Sequence, residues 1–381
     1  MNGYEKGTFG YDLQYLSERG RCAVLSTDDE EGRIIVSPQY QAKVFTSTVQ
    51  GMAGKSLGFV NYKVFESGEP DEHMNGYGGE NRLWIGPEGG RYSVFFKPGV
   101  SQVYDNWFTP KALDTEPWEV VSEGTKNIVM EKEMHLMNYL GSMLHMKVSR
   151  GVQMMEASSL GLHMGKGVKS VAYYTVNTLT NIGDHAWTPA TGAICIWVLD
   201  MFRVAPRSIA IVPFVQGDEK ELGPVATTEY FGAIPQDRYK EKGGYVFLKT
   251  DGLYRSKIGL SGRRTKAIAG SYDPDSHHLA VAAFEVDREG VYLNQEWDCE
   301  RDPLVGDVFN AYNDGPLANG NIMGPFLELE SASPAALIAP GETLSHGHSV
   351  FHFVGKDAHS LDHIIEALFG ITEGGGSIVI P

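Results

Sequence analysis

Two glutamates and two histidines near the C-terminal end of the chain share a spacing suited to acid–base chemistry. Glu328 and Glu330 alternate with Leu327 and Leu329, and His346 and His348 flank Gly347. Side chains of a β-strand alternate faces with a period of two, so each pair shares one face of its strand. The stretch 324–353, GPFLELESASPAALIAPGETLSHGHSVFHF, is predicted to form a β-hairpin that turns at Pro340-Gly341-Glu342. If its two polar faces coincide, two carboxylates stand beside two imidazoles on a rigid sheet. A carboxylate there can take a hydroxyl proton and an imidazole can return one. The same alternation also fits a solvent-facing strand edged with ion pairs. Leu327 and Leu329 alone satisfy a core face, which leaves the acids free to line a pocket. His346-x-His348 with a carboxylate is also an incomplete zinc set. No third ligand is evident, so neither a metal nor another cofactor is expected.

Further groups suit binding. The segment 80–96, ENRLWIGPEGGRYSVFF, sets Arg82, Trp84 and Glu88 among Gly86, Gly89 and Gly90. An aromatic plane beside a charged pair suits a sugar, whose CH face stacks and whose hydroxyls hydrogen-bond. Glycines let backbone approach a ligand closely. The alternative is a tight corner with Trp84 in the core. Arg255 and Lys257 share a strand face and suit an acidic sugar or, equally, solvent. Asn313, within Tyr312-Asn313-Asp314-Gly315-Pro316, belongs to a turn or to the pocket rim. His185 lies in the turn segment 177–187, NTLTNIGDHAW, and His163 is its rival. A turn histidine is usually only solvated.

Three features together resemble the C-terminal end of the galactose mutarotase (aldose 1-epimerase) superfamily. They are a glutamate-bearing strand, the L-x-x-P-G-E motif from Leu337, and a strand ending in aromatic-x-Phe at Phe351 and Phe353. The similarity is nearest to uncharacterised bacterial members of that superfamily. It implies a galactose mutarotase-like supersandwich and a small-molecule carbohydrate as partner. It also implies a sugar mutarotase or epimerase activity with a glutamate base and a histidine acid. Glu328 or Glu330 would be the base. The family has Glu-Thr-Gln where this chain has Glu328-Leu329-Glu330, so the register stays open. The acid would be His346, His348, His185 or His163. Thr180 and Asn181 match a family Thr-Asn pair, but the pattern flanking its histidine is absent around His185. Arg82 would take a sugar-binding role. A non-catalytic carbohydrate-binding protein, or a sugar lyase or hydrolase, would use the same fold.

The elements that must position these residues read as strands. Short runs recur between turn residues: Cys22–Ser26, Arg33–Ser37, Tyr92–Phe96, Val168–Asn177, Ala193–Met201, Ile209–Val215, Tyr245–Leu248, His278–Val286 and Phe326–Leu329. Helix-period patterns are confined to Tyr11–Arg19 and to His359–Phe369, which would be capped by Ser360 and stopped by Gly370. With 45 glycines spread over many short strands, the expected fold is all-β, one large antiparallel sandwich over residues 1–381 with few short helices. Gly54-Lys55-Ser56 imitates a phosphate-binding loop, but the required first glycine falls at Val49. The net charge of −16 argues against nucleic acid and anionic membranes as partners. Three dispersed cysteines, Cys22, Cys195 and Cys299, make neither a metal site nor a disulfide framework. No apolar run spans a bilayer, and the start lacks a signal peptide, so a cytoplasmic protein is expected. A chain trimmed of its signal and given a new Met would read the same and be periplasmic or extracellular. Gly374-Gly375-Gly376-Ser377 is expected to be a flexible tail before a last short strand.

Overall fold

A computed structural model of the chain describes residues 3–317 and 320–371, so the expected tail at 374–377 lies outside the described residues. Eighteen antiparallel strands form two sheets among the described residues. The first sheet has eight strands, in the order β1 (Ala23–Ser26), β2 (Arg33–Ser37), β3 (Lys43–Thr48), β4 (Asn81–Gly86), β9 (Cys195–Arg203), β17 (Phe326–Ala332), β16 (Phe309–Asn313) and β13 (Ser256–Leu260). The second has ten: β11 (Tyr239–Lys242), β12 (Tyr245–Lys249), β10 (Ile209–Pro213), β14 (Ile268–Asp273), β15 (His278–Phe284), β18 (Thr343–Gly355), β8 (Val168–Asn181), β7 (Met143–Met155), β6 (Asn127–Met137) and β5 (Glu119–Glu123). The helices are short: α1 (Phe9–Ser17), α2 (Tyr62–Ser67), α3 (Glu219–Leu222) and α4 (Asp362–Phe369). None is long and apolar enough to cross a membrane.

The sheets pack face to face on their apolar sides, as two half-buried antiparallel sheets must. Val198, Phe202, Leu327, Leu329 and Phe309 of the first sheet join Val148, Leu179, Val350 and Ala282 of the second in one core. Helix α4 covers part of the outer face of the second sheet, burying Ile364, Ile365 and Phe369 against Ile211, Val281 and Phe353. Helix α1 covers Ile35 and Phe45 on the outer face of the first sheet. The rest of that outer face carries the candidate site.

The all-β antiparallel expectation holds, with corrections to individual elements. Tyr92–Phe96 is irregular rather than a strand, and Phe108 N donates to Phe95 O at 2.9 Å across a loop. Strands β3 to β7, β11, β14 and β16 were not among those expected. In β6 and β7 the buried positions alternate, but Met and charged residues supply the pattern, and these are weak strand signals. Ser360 does not cap α4. The N-cap is Leu361, and Ser360 Oγ donates to Asp357 instead. Gly370 does end α4, in the left-handed region at φ 64°.

The main correction concerns 324–353, which is not a hairpin. Strand β17 pairs with β9 and β16 in the first sheet, and β18 pairs with β8 and β15 in the second. Residues 333–342 cross from one sheet to the other around the end of the sandwich. Ala336 N donates to Ile194 O, and Ile338 O accepts from Trp187 N. The two strands therefore face each other across the core rather than lying side by side.

Candidate functional site

The register of the first sheet fixes which side chains share its outer face. Arg82 lies opposite Leu199, Leu199 opposite Glu330, and Glu330 opposite Asn310. One rung along, Met201, Glu328, Tyr312 and Lys257 form a second row, and Trp84 and Trp197 form a third. Leu327, Leu329 and Ser331 must then point into the core. The alternation expected for Leu-Glu-Leu-Glu is thus realised, with the acids in a cavity of about 510 Å³. Its walls include Trp84, Trp107, Trp197, Trp297, Tyr104 and Phe231. Trp84 packs edge-on against Trp197, with ring centroids 5.7 Å apart.

The charges cross diagonally between rows. Arg82 is ion-paired with Glu328, and Lys257 Nζ lies 2.9 Å from Glu330 Oε2. Trp197 Nε1 donates to the same Glu330 oxygen at 3.0 Å. All four charged side chains are at most 10% exposed. Pairing is what makes such burial tolerable, since an isolated buried charge costs several kcal/mol, of order 3–5 when a partner is removed. Burial raises the Glu328 carboxyl to about 8, reinforced by Glu330 and opposed by Arg82. Burial raises Glu88 as well, with Lys257 pulling it back. Burial pulls the Lys257 ammonium down, but Glu330 and Glu88 more than offset this and its pKa is raised. Arg255 stacks over Phe231 at 3.9 Å, and its Nε donates to the Tyr312 hydroxyl at 3.1 Å. Arg82 Nε, Trp107 Nε1 and Gln295 Nε2, on residues that line the cavity, are themselves buried and have no hydrogen-bond partner. Unpaired buried donors are costly, of order 1–3 kcal/mol each.

The structure thus gathers Glu328, Glu330, Arg82, Trp84, Glu88, Arg255 and Lys257 around one cavity. The glycines near Trp84 do a different job from the one expected. A Cβ on Gly89 would lie 2.4 Å from Glu296 O, so the close approach is by the segment 295–297 of the chain itself. That packing delivers Gln295, Glu296 and Trp297 to the cavity. Trp107, Trp197, Trp297 and Gln295 were missed by sequence reasoning. Only Trp197 carried a usable signal, its position in an apolar strand.

The remaining candidates lie elsewhere. Asn313 faces away from the cavity, accepting from Gly252 N and donating to Tyr254 O. His185 sits in a surface turn against Asp184, and among the described residues no histidine lines the cavity. His163 offers its backbone carbonyl to His363. His346 and His348 are wholly buried between the sheets. Ser331 Oγ lies 2.8 Å from both His346 Nε2 and His348 Nδ1, and His348 Nε2 lies 2.7 Å from Asp200 Oδ2. The layer continues through Asn81, which donates to Asp200 at 2.6 Å and accepts from Arg150. Ser331, His348 and Asp200 have the order of a nucleophile relay, yet none is more than 1% exposed and no substrate reaches them. They form the polar floor beneath β17. The glutamates and histidines therefore lie on opposite faces of β17, because β18 belongs to the other sheet.

The chain belongs to the DUF6786 family, a family of unknown function whose model matches residues 7–373. No curated protein matches it in sequence. Its fold is that of the galactose mutarotase-like sandwiches. A structure from Escherichia coli K12 bearing a provisional aldose 1-epimerase name superposes with a TM-score of 0.50 and 14% identity. The match covers 87% of this chain and 98% of that one. A protein from Synechocystis sp. PCC 6803 gives a TM-score of 0.51 at 13% identity, over 89% of this chain and 97% of that one. A galactose mutarotase-like protein from Lactobacillus casei gives 0.49 at 11% identity, over 87% of this chain and the whole of that one.

Proposed function

We propose that the cavity on the outer face of the first sheet binds a sugar and that Glu330 and Glu328 catalyse interconversion of its anomers. The observation that carries this reading is the pair of carboxylates, side by side on β17 in an aromatic cavity. Aromatic planes take the CH faces of a pyranose, and the charged side chains of Glu88, Arg255 and Lys257 that line the cavity can hydrogen-bond its hydroxyls. Ring opening needs a base for the anomeric hydroxyl proton and an acid for the ring oxygen. Two carboxyls whose surroundings separate their proton affinities can divide these roles. Glu330, held by Lys257 and Trp197 Nε1, suits the base. Glu328, whose carboxyl burial raises against the pull of Arg82, suits the acid in place of the family's histidine. The provisional epimerase name of the Escherichia coli structure points the same way.

Polarimetry of freshly dissolved aldoses tests this. The wild type should speed mutarotation of at least one, and Glu330→Gln should slow it by about 10²–10⁴-fold. A second reading, a carbohydrate-binding protein without catalysis, is favoured by the ion pairs that hold both carboxylates. Saturable sugar binding with no acceleration of any aldose would establish it in place of the first.

A further inference from the structure

We propose that the outer face of the β6–β7 hairpin is a binding site for a zinc-type divalent transition-metal ion, held by His135, His145 and Glu133. This site is separate from the sugar cavity and independent of the function proposed for it. His135 and His145 are directly opposed across the antiparallel pair. Glu133 is two residues before His135 and therefore on the same face. That face is fixed: Met134, Leu136, Leu144 and Met146 alternate with these residues and are buried in the sandwich core. Slipping either strand by one residue would bring the histidines inside and the methionines out, so the cluster cannot disperse without losing that packing.

The three side chains already converge. The imidazole rings stack with centroids 3.8 Å apart and planes 18° apart. His145 Nε2 lies 2.6 Å, and His135 Nε2 3.7 Å, from the same Glu133 oxygen. One ligand atom from each residue falls within 4.8 Å of the others. Tetrahedral zinc, with bonds of about 2.1 Å, holds its donors about 3.4 Å apart, so side-chain rotations that splay the stacked rings would complete the set. Two imidazoles and a carboxylate suit zinc, cobalt or nickel, whereas calcium and magnesium prefer all-oxygen shells. The exposed side of the cluster leaves the remaining coordination positions to water. A bound ion would tie β6 to β7 and would stabilise the folded chain, because the unfolded chain does not hold the three ligands together.

Isothermal titration of the untagged full-length chain with zinc chloride at pH 7.5 tests the site. The wild type should bind one equivalent, with a matching rise in melting temperature. His135→Ala and His145→Ala should each weaken binding by about 100-fold or more, the upper end of what outer-shell changes alone produce. Both positions are at the surface, and circular dichroism shows that each variant is folded before its titration is read. Acidification should weaken binding, because an imidazole must be deprotonated to hold the ion. The absence of saturable zinc binding by the wild type overturns the proposal. So does a full equivalent retained at unchanged affinity by either folded variant.

Discussion

Glu328 and Glu330 have the same residue type, strand and face, and differ only in what surrounds them. Glu330 has an ammonium and an indole N–H on one oxygen. Glu328 has the Arg82 guanidinium, yet burial and the neighbouring Glu330 charge raise its pKa to about 8. If Glu328 is the acid, catalysis requires its protonated form. The rate should then fall as the pH rises through about 8, and Glu328→Gln should abolish that limb along with most of the activity. A pH–rate profile of wild type and variant by polarimetry checks this, and a limb that persists in the variant rejects the assignment. Lys257 allows a stability test. Lys257→Met leaves Glu330 buried without its cation and should cost about 3–5 kcal/mol. Adding Glu330→Gln should recover part of that loss, as measured by urea denaturation. These residues were legible in the sequence as charged types beside apolar neighbours. Their crossed pairing was not, because Arg82 and Glu328 stand 246 positions apart and meet only through the sheet order.

At the level of elements, the alternation within β17 was readable but its partner was not. A strand followed by a Pro-Gly turn and another strand is usually a hairpin, and local pattern cannot reveal a connection that changes sheets. The ten residues 333–342 are long enough to round the end of the sandwich, and their backbone bonds to Ile194 and Trp187 hold them there. That crossing puts His346 and His348 in the interior. Burial, with His348 beside it, lowers the His346 pKa to about 3. Burial and His352 likewise hold His278 well below its ordinary value. In the unfolded chain these imidazoles titrate near 6.5. Between about 6.5 and 3 the unfolded state therefore binds more protons, so stability rises with pH there and is lost on acidification. The loss should approach about 1.4 kcal/mol per pH unit for His346. Urea melts at several pH values should show this slope. A folded His346→Asn variant should show a slope shallower by about one proton, and an unchanged slope would remove His346 from the account.

For the whole molecule, the sequence pointed to an all-β sandwich because short strands and glycine turns recur along the entire chain. The sheet order brings β4, β9, β17, β16 and β13, drawn from residues 81 to 332, to one outer face. The cavity there collects charged residues that were readable and tryptophans from loops that were not. Trp107 and Trp297 lie in irregular segments and stack with ring centroids 6.0 Å apart only once the chain is folded. The proposed sugar site is this cavity and not the histidine layer between the sheets. Titrating intrinsic tryptophan fluorescence with a panel of monosaccharides and oligosaccharides tests it most directly, because four tryptophans line the cavity. A saturable change is expected with at least one sugar, weakened about tenfold or more in Glu330→Gln, the loss expected on removing a charged hydrogen-bond partner. No response to any sugar, or an affinity unchanged in Glu330→Gln and Arg82→Met, would contradict it.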